Sequence, residues 1–451
     1  MKIERGRIDV NSEPLIVARS GSIVSNPYFM LGLLTIGYMI AYIDRFLLGI
    51  LIDPIKADLG VSDTQISLLQ GLGFLLVMSV ALIPMGWAAD RVNRPRLIGA
   101  AMLVWTAATA CSGLAPSFLA LSLCRGVVGI GEAGISPAGI SLIGDRFPPR
   151  RLGLALGIFS VGGSIGGGVS LALGGAIYAW LAAGGAAGWP LLGGLAPWRG
   201  TFILVALAGI PVALAIAFLR EPRTGMNIAR LSSRAAVMAF VREAKWLLLI
   251  LILITSFTNA AVLVTLYWTA SAFVRAYGWS IQQAGSALGT IMIVTSAVGI
   301  FSAGLISDWF GARVGGRRLL VAAFTAPVAL TVAIAFGFVH SPGIALALIA
   351  ALQLTNILTF GVCTIGLQAI TPGAIRGTIS AALALITNVV GAFAPTFVGL
   401  LNDHVFTDKG GAVHSMTAVF VVTLGAASLL TWSAQRPYQN LVRRRQMEAS
   451  A

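Results

Sequence analysis

Long apolar runs alternate with short polar segments along most of this chain. A helix needs about 20 apolar residues to cross a bilayer. The runs therefore predict twelve membrane-spanning helices, at residues 29–52, 65–89, 97–115, 118–142, 152–181, 200–219, 246–273, 283–307, 318–338, 343–370, 378–402 and 412–433. The Gly-rich stretch 182–198 is apolar but too interrupted to be another span. The expected fold class is an all-α membrane protein with two bundles of six helices.

The basic residues between the runs are distributed unequally over the two sides of the membrane. Loops on the side of the N-terminus hold most of the 30 lysines and arginines, whereas loops on the other side contain only Lys56, Arg199, Arg275 and Lys409. Because Lys and Arg accumulate in cytoplasmic loops, both termini are expected in the cytoplasm. The expected location is the cell membrane, which is the inner membrane in a Gram-negative cell.

The longest basic connection, residues 220–245, divides the predicted spans into six and six. Within it, residues 227–241 fit a short amphipathic helix at the membrane surface or a simple linker equally well. The predicted organisation is a cytoplasmic segment, an N-terminal bundle, a linker, a C-terminal bundle and a cytoplasmic tail, at residues 1–28, 29–219, 220–245, 246–433 and 434–451.

Composition agrees with a membrane protein and excludes other classes. The chain has 451 residues, of which 57% are hydrophobic and 10% charged, against about 25% charged in a soluble domain. The net charge of +14 follows the loops and does not indicate nucleic-acid binding. The three cysteines have neither disulfide nor metal-ligand spacing, and the three histidines lie at or near the ends of predicted spans. We therefore expect no cofactor, no metal and no enzymatic activity.

A polar segment recurs after the second and eighth predicted spans. The first copy contains Gly86, Asp90, Arg91 and Arg94; the second contains Gly304 and Asp308, with Trp309 in place of the arginine. A second pair of segments, at 147–153 and 371–377, follows the fourth and tenth spans in the same order. This order predicts two duplicated halves with the same orientation in the membrane.

The repeated segment has residue types that suit a latch between helix ends. Glycine permits close approach, and an aspartate can accept hydrogen bonds from a helix N-terminus or pair with an arginine. The segment resembles the signature loop of the major facilitator superfamily, and the resemblance covers nearly the whole chain. It implies two six-helix bundles that rock around a central site, with this loop as a cytoplasmic gate.

Four charged residues lie well inside predicted spans, namely Asp44, Arg45, Arg125 and Glu132. Intramembrane charges are costly and are usually functional. Arg125 and Glu132 are separated by nearly two helical turns and share one helix face. The segments Ile43-Asp44-Arg45, 125–133 and 162–168 are similar to the spinster family, whose animal members carry lysolipids such as sphingosine-1-phosphate.

These four charges predict both the binding of substrate and the coupling of transport to protons. Arginine suits a phosphate or carboxylate because it stays charged and can bond bidentately, so Arg45 and Arg125 are predicted to bind substrate. Asp44 and Glu132 are predicted to exchange a proton when an anionic substrate captures an arginine. The alternatives are a static ion pair that fixes helix packing and, for Arg45, a role limited to positioning Asp44.

The C-terminal half offers polar candidates without charge. Asn259, Trp268, Gln353 and Asn356 are predicted substrate contacts, and interhelical hydrogen bonding is the alternative for each. The chain is thus expected to be a monomeric, proton-coupled secondary transporter of an amphiphile or organic anion, surrounded by membrane lipids. The competing hypothesis is a broad-specificity drug exporter of the same fold.

Overall fold

The computed structural model describes residues 26–221, 234–313 and 317–450. Within these ranges the chain is helical and contains no strand. In chain order the helices are α1 Pro27–Ile50, α2 Ile52–Leu59, α3 Asp63–Gln70, α4 Leu72–Arg91, α5 Arg94–Leu114, α6 Phe118–Glu132, α7 Ile135–Arg146, α8 Pro149–Ala182, α9 Pro197–Ala217, α10 Arg234–Tyr277, α11 Ile281–Arg313, α12 Leu320–Phe336, α13 Pro342–Ile370, α14 Arg376–Gly391, α15 Phe393–His404 and α16 Gly411–Ser450.

The predicted fold class is confirmed for these residues. Eleven helical segments are long and apolar enough to cross a membrane, and α12, with 17 residues, is the shorter twelfth. Three of the segments are interrupted, because α3 with α4, α6 with α7, and α14 with α15 each form one crossing. The chain is a multi-pass membrane protein.

The interruptions fall at small residues that pack closely. α3 ends at Gly71, where a Cβ atom would lie 2.5 Å from the Ala392 carbonyl oxygen between α14 and α15. At the break after α6, a Cβ atom on Gly131 would lie 2.8 Å from the Cβ of Trp105. Small residues allow such close helix contacts in membrane proteins. Broken helices of this kind commonly build the central sites of transporters.

The helices form two halves, which we call the N half (α1–α9) and the C half (α10–α16). In the N half α1 packs on α8 and α5 on α9; in the C half α10 packs on α16 and α12 on α13. The halves meet where α8 contacts α11, α3 contacts α15 and α1 contacts α10. We call the end that carries the arginine-rich loops the basic end, and the other the opposite end.

Two helices extend further than the sequence pattern indicates. α10 begins at Arg234, inside the predicted linker, and α16 continues through the predicted tail. Phe240, Ala244, Tyr438 and Leu441 form a buried cluster between them, and this packing explains the extension beyond the apolar runs. Residues 1–25 and 222–233, which include part of the suggested surface helix, lie outside the described residues.

Candidate functional site

The four intramembrane charges converge inside the N half. Arg45 on α1 donates two hydrogen bonds to Glu132 Oε2 at the end of α6, from Nε at 3.0 Å and from Nη2 at 2.7 Å. The Glu132 side chain is fully buried, whereas that of Arg45 is 12% exposed. Arg45 also lies over the Tyr42 ring, 4.6 Å from its centroid. A buried carboxylate is tolerated here because a guanidinium neutralises it.

Arg125 has different partners from those its sequence spacing indicates. Its guanidinium donates to the backbone carbonyl oxygens of Asp44, at 3.2 Å, and Arg45, at 3.4 Å, and lies over the Phe74 ring. Glu132 is roughly 10 Å further along α6 at 1.5 Å per residue, and Arg45 occupies its carboxylate. Arg125 and Glu132 lie on one helix, as the spacing indicates, but the arginine that binds Glu132 is Arg45 of α1.

Asp44 faces the interior of the N half rather than Arg45. Its Oδ2 accepts a hydrogen bond of 3.1 Å from Thr109 on α5, and its Oδ1 has no partner among the described residues. Consecutive residues on a helix point about 100° apart, which is why Asp44 and Arg45 reach different neighbours. The site thus contains one carboxylate in an ion pair and one bonded only to a hydroxyl.

Aromatic residues extend this site along α1. Tyr38, Tyr42 and Phe46 recur every four residues and share one helix face, and neighbouring rings lie 5.0 and 5.8 Å apart. Phe159 of α8 stacks on Tyr38, and Tyr267 of α10 lies 5.1 Å from Phe46. We call Tyr38, Tyr42, Phe46 and Tyr267 the aromatic ladder. It joins the charged cluster of the N half to the C half.

The predicted contacts of the C half have separate environments. Asn259 is partly exposed and donates to the Thr387 carbonyl at 3.3 Å. Trp268 is buried and donates to the Pro395 carbonyl at 3.0 Å, so its indole joins α10 to α15. Gln353 and Asn356 are buried on α13, and both Asn356 amide atoms have no partner among the described residues. Their roles in binding stay predictions.

A cluster that the sequence analysis did not assign joins the two halves at the opposite end. Arg275, near the end of α10, binds Asp53 of α2 at 2.7 Å and Asp63 of α3 at 2.5 Å. Ser271, one turn earlier, donates to Asp53 at 2.9 Å. Lys56 of the N half also binds Asp63. The sequence did contain one signal for this cluster. Loops on this side have very few basic residues, and Arg275 is one of them.

A second contact crosses between the halves beside this cluster. Asp403 of α15 accepts hydrogen bonds from the backbone N–H groups of Asp63 at 3.1 Å and Thr64 at 2.8 Å, and from the Thr64 hydroxyl at 2.6 Å. Carboxylates are stabilising at helix N-termini because they satisfy free amides and complement the helix dipole. Asp403 thus caps α3 from the other half.

The predicted gate residues at the basic end have contacts within their own helix or half. Apart from chain neighbours and the backbone of its own helix, no described atom lies within 4 Å of the position that a Cβ would take on Gly86 or Gly304. Arg91 folds back over the Trp87 ring of its own helix, at 4.0 Å. Asp308 is 3.9 Å from Arg318, within the C half. The role of these residues as a cytoplasmic gate stays a prediction.

Arg94 differs from the cross-half gate residue that the repeated segment suggests. It is buried inside the N half, where it binds Glu221 at 2.5 Å, Asp145 at 2.7 Å and the Ser141 hydroxyl at 2.7 Å. These partners come from α7 and from the chain just after α9, so Arg94 fixes three elements of one half. Asp53, Asp63, Arg275 and Asp403 hold the two halves together at the opposite end.

The sequence profile of the Major Facilitator Superfamily matches residues 34–395. The chain belongs to this superfamily. The members of the superfamily and the relatives of this chain are transporters. The protein is therefore a membrane transporter and not an enzyme.

Similar proteins support the spinster resemblance. The crystal structure of a bacterial homologue of the human lysosomal transporter Spinster, in an inward-facing and occupied conformation, superposes with a TM-score of 0.80, at 26% identity, over 92% of this chain and 99% of that chain. An MFS-type efflux pump of Mycolicibacterium smegmatis is 26% identical over 90% of this chain and 92% of its own length. The sphingosine-1-phosphate transporter SPNS2 of Mus musculus is 34% identical over 32% of this chain and 27% of its own length.

Proposed function

We propose that this superfamily member transports an anionic amphiphile by alternating access and that protons drive it. The main support is the state of Arg125, which is 1% exposed and, among the described residues, donates to the backbone carbonyls of Asp44 and Arg45. Its Nε has no partner among the described residues. A buried guanidinium without a carboxylate partner retains capacity for a phosphate or carboxylate, which it can bind bidentately.

The aromatic ladder supplies the apolar part of the proposed site. Tyr38 and Tyr42 are partly exposed on the same face of α1 as Arg45, and Phe46 continues that face toward the C half. Aromatic side chains offer large apolar surfaces to a hydrocarbon chain. The head group is thus proposed to lie on Arg45 and Arg125, and the tail along the ladder.

Coupling follows from competition for Arg45. An anionic head group that binds Arg45 displaces Glu132, and a buried carboxylate that loses its partner is strongly destabilised unless it binds a proton. Asp44, bonded to Thr109, is the second proposed proton carrier. Binding of the substrate and uptake of a proton are therefore linked in the same step.

The proposed setting is the cell membrane, with both termini in the cytoplasm and the protein acting as a monomer. The excess of arginines at the basic end supports this orientation. With it, we propose that the structure represents an inward-facing state, in which the cross-half contacts at the opposite end close the external side. The similar Spinster homologue is likewise inward-facing.

The head-group proposal is tested by Arg125→Lys, which keeps the charge but loses the planar fork. We expect the affinity for dodecyl phosphate, measured by equilibrium binding of the purified protein, to fall by about ten-fold or more, equivalent to ~1.4 kcal/mol. Expression and thermal stability should change little. Wild-type affinity in this variant would make Arg125 a structural residue and refute the proposal.

The coupling proposal is tested by Asp44→Asn and Glu132→Gln in proteoliposomes. Each variant should lose uptake driven by a pH gradient while counterflow exchange at equal pH is retained, because exchange does not require a net proton movement. Asp408→Asn, an exposed acid in the loop after α15, is the control and should transport normally. Full dependence on the pH gradient in both buried variants would eliminate these residues as proton carriers.

A broad-specificity exporter is the second candidate. It is favoured by the similarity to the mycobacterial efflux pump and by the aromatic ladder, since aromatic faces also attract cations. Dodecyltrimethylammonium has the same tail as dodecyl phosphate and the opposite charge. Preferential transport of the cation would favour the exporter, and preferential transport of the phosphate would favour the anion carrier.

A further inference from the structure

Tyr267 of α10 is a buried polar residue at the junction of the two halves. Its side chain is 0% exposed, and its hydroxyl has no hydrogen-bond partner among the described residues. A buried hydroxyl without a partner typically costs about 1–3 kcal/mol. Such a group is unusual in a well-packed protein, and its neighbours indicate what it is placed to bind.

Tyr267 belongs to the C half but reaches the charged cluster of the N half. Its ring packs 5.1 Å from Phe46, which directly follows Asp44 and Arg45 on α1. Its hydroxyl is close enough to interact electrostatically with Arg45, Arg125 and Glu132. Among the described residues of the C half, Tyr267 alone has both an unpartnered hydroxyl and a ring in contact with Phe46 of α1.

Close packing of the backbone fixes this position. A Cβ atom on Gly49 would lie 2.9 Å from the Leu266 carbonyl oxygen and 3.2 Å from the Tyr267 Cα. The absence of a side chain at Gly49 therefore brings α1 directly against α10 at Tyr267. The ring is held between the two halves with little freedom to move elsewhere.

We infer that the Tyr267 hydroxyl donates a hydrogen bond to the anionic head group of the substrate, beside Arg125. This inference rests on the proposed function, because it assigns the third donor of the same site. The ligand then contacts both halves, with the arginines on one side and Tyr267 on the other. Tyr267 is thus a specificity residue that favours an acceptor-bearing anionic head over a quaternary ammonium, which has no acceptor.

The test is Tyr267→Phe, which keeps the ring contact with Phe46 and removes only the hydroxyl. The matched control is Tyr277→Phe on the same helix, which removes a hydroxyl that donates to the Val339 carbonyl at 2.8 Å. Binding of dodecyl phosphate and of inorganic phosphate is measured in maltoside micelles at one detergent concentration, together with the Tm of each unliganded variant.

We expect Tyr267→Phe to weaken dodecyl phosphate binding by about ten-fold, equivalent to ~1.4 kcal/mol, without lowering the unliganded Tm. Tyr277→Phe should lower the Tm slightly and leave binding unchanged. A loss that also appears with inorganic phosphate supports a head-group contact that is independent of the tail; a loss seen only with dodecyl phosphate supports one that needs the amphiphile.

Two results would overturn the inference. The first is unchanged affinity of Tyr267→Phe while Arg125→Lys binds weakly, which removes Tyr267 and leaves the proposed function intact. The second is an unliganded Tm that falls as much as in Tyr277→Phe, because the hydroxyl would then have a structural partner. Failure of the wild-type protein to bind either phosphate would refute the proposed function and this inference together.

Discussion

The two ends of the molecule hold their charges in different ways. At the opposite end, Arg275 and Asp403 of the C half bind Asp53 and the first residues of α3 in the N half. At the basic end, Arg94 binds acids of the N half and Arg445 binds Glu243 within the C half. These cross-half ion pairs lie at the end that has fewer basic residues. We infer that closure depends on whether opposite charges face each other across the halves, and not on how many charges an end contains.

The most disruptive test of this comparison is Arg275→Ala. It leaves Asp53 and Asp63 without their cross-half partner, and removal of one partner of a mostly buried pair is strongly destabilising. We expect the outward-open population to rise by about ten-fold or more, since each ~1.4 kcal/mol is a factor of ten. Spin labels at Ala187 and Lys409, both exposed at this end, would report it as longer distances.

The matched control for Arg275→Ala is Arg199→Ala. Arg199 lies at the same end but binds Asp58 at 2.8 Å and the Ala115 carbonyl at 2.7 Å, all within the N half. Its removal should leave the distance distribution unchanged. Equal shifts in both variants would mean that general loss of stability, rather than the cross-half contact, explains the effect.

A smaller rise in the outward-open population is expected for Asp403→Ala. This change removes the cap that α3 receives from the other half, and a lost N-cap costs about 1 kcal/mol, which corresponds to roughly a five-fold change in population. The same pair of spin labels measures it. If Asp403→Ala leaves the distances as in wild type, the cap does not contribute to closure.

The smallest effect is expected at the basic end. Asp90 is predicted to stabilise the outward-open state by closing the cytoplasmic side. Because the proposed state of the structure is inward-facing, Asp90→Ala alone should change the distances only slightly. In an Arg275→Ala background, where the outward-open state is populated, it should return part of the population to the inward-open state. An unchanged double variant would contradict the latch.

The spans could be predicted from the sequence because the bilayer imposes a strict requirement. A crossing needs about 20 apolar residues, and internal charges are rare enough to notice. For the same reason Asp44, Arg45, Arg125 and Glu132 could be selected without a structure. The extensions of α10 and α16 could not be predicted in this way. They depend on contacts between the two helices beyond the apolar runs, to which Phe240 and Tyr438 contribute.

Partner choice could not be predicted, because it depends on how the helices are rotated and placed. Spacing along α6 puts Arg125 and Glu132 on one face, but it does not show that α1 brings Arg45 to Glu132 first. The partner of Arg94 could not be predicted for a similar reason. Glu221 is far from Arg94 in the sequence, and the packing of α9 on α5 brings the two side chains together. Sequence identified which residues matter here, and tertiary packing determined what each one binds.

The contacts of α3 have a consequence for how the opposite end opens. Besides Asp403, α3 has its own capping box, in which Ser62 and Gln65 satisfy each other's backbone amides. Asp63 has Lys56 as a second partner in its own half. If the halves separate, the Asp63 carboxylate keeps Lys56 as a local partner, whereas the Asp63 and Thr64 amides lose Asp403. Arg275 and Asp403, which both contact Asp63, leave together as two opposite charges, and Asp53, whose side chain is 29% exposed, can be solvated. Opening therefore replaces most of the charged contacts by local partners or by water, so that few charges are stranded.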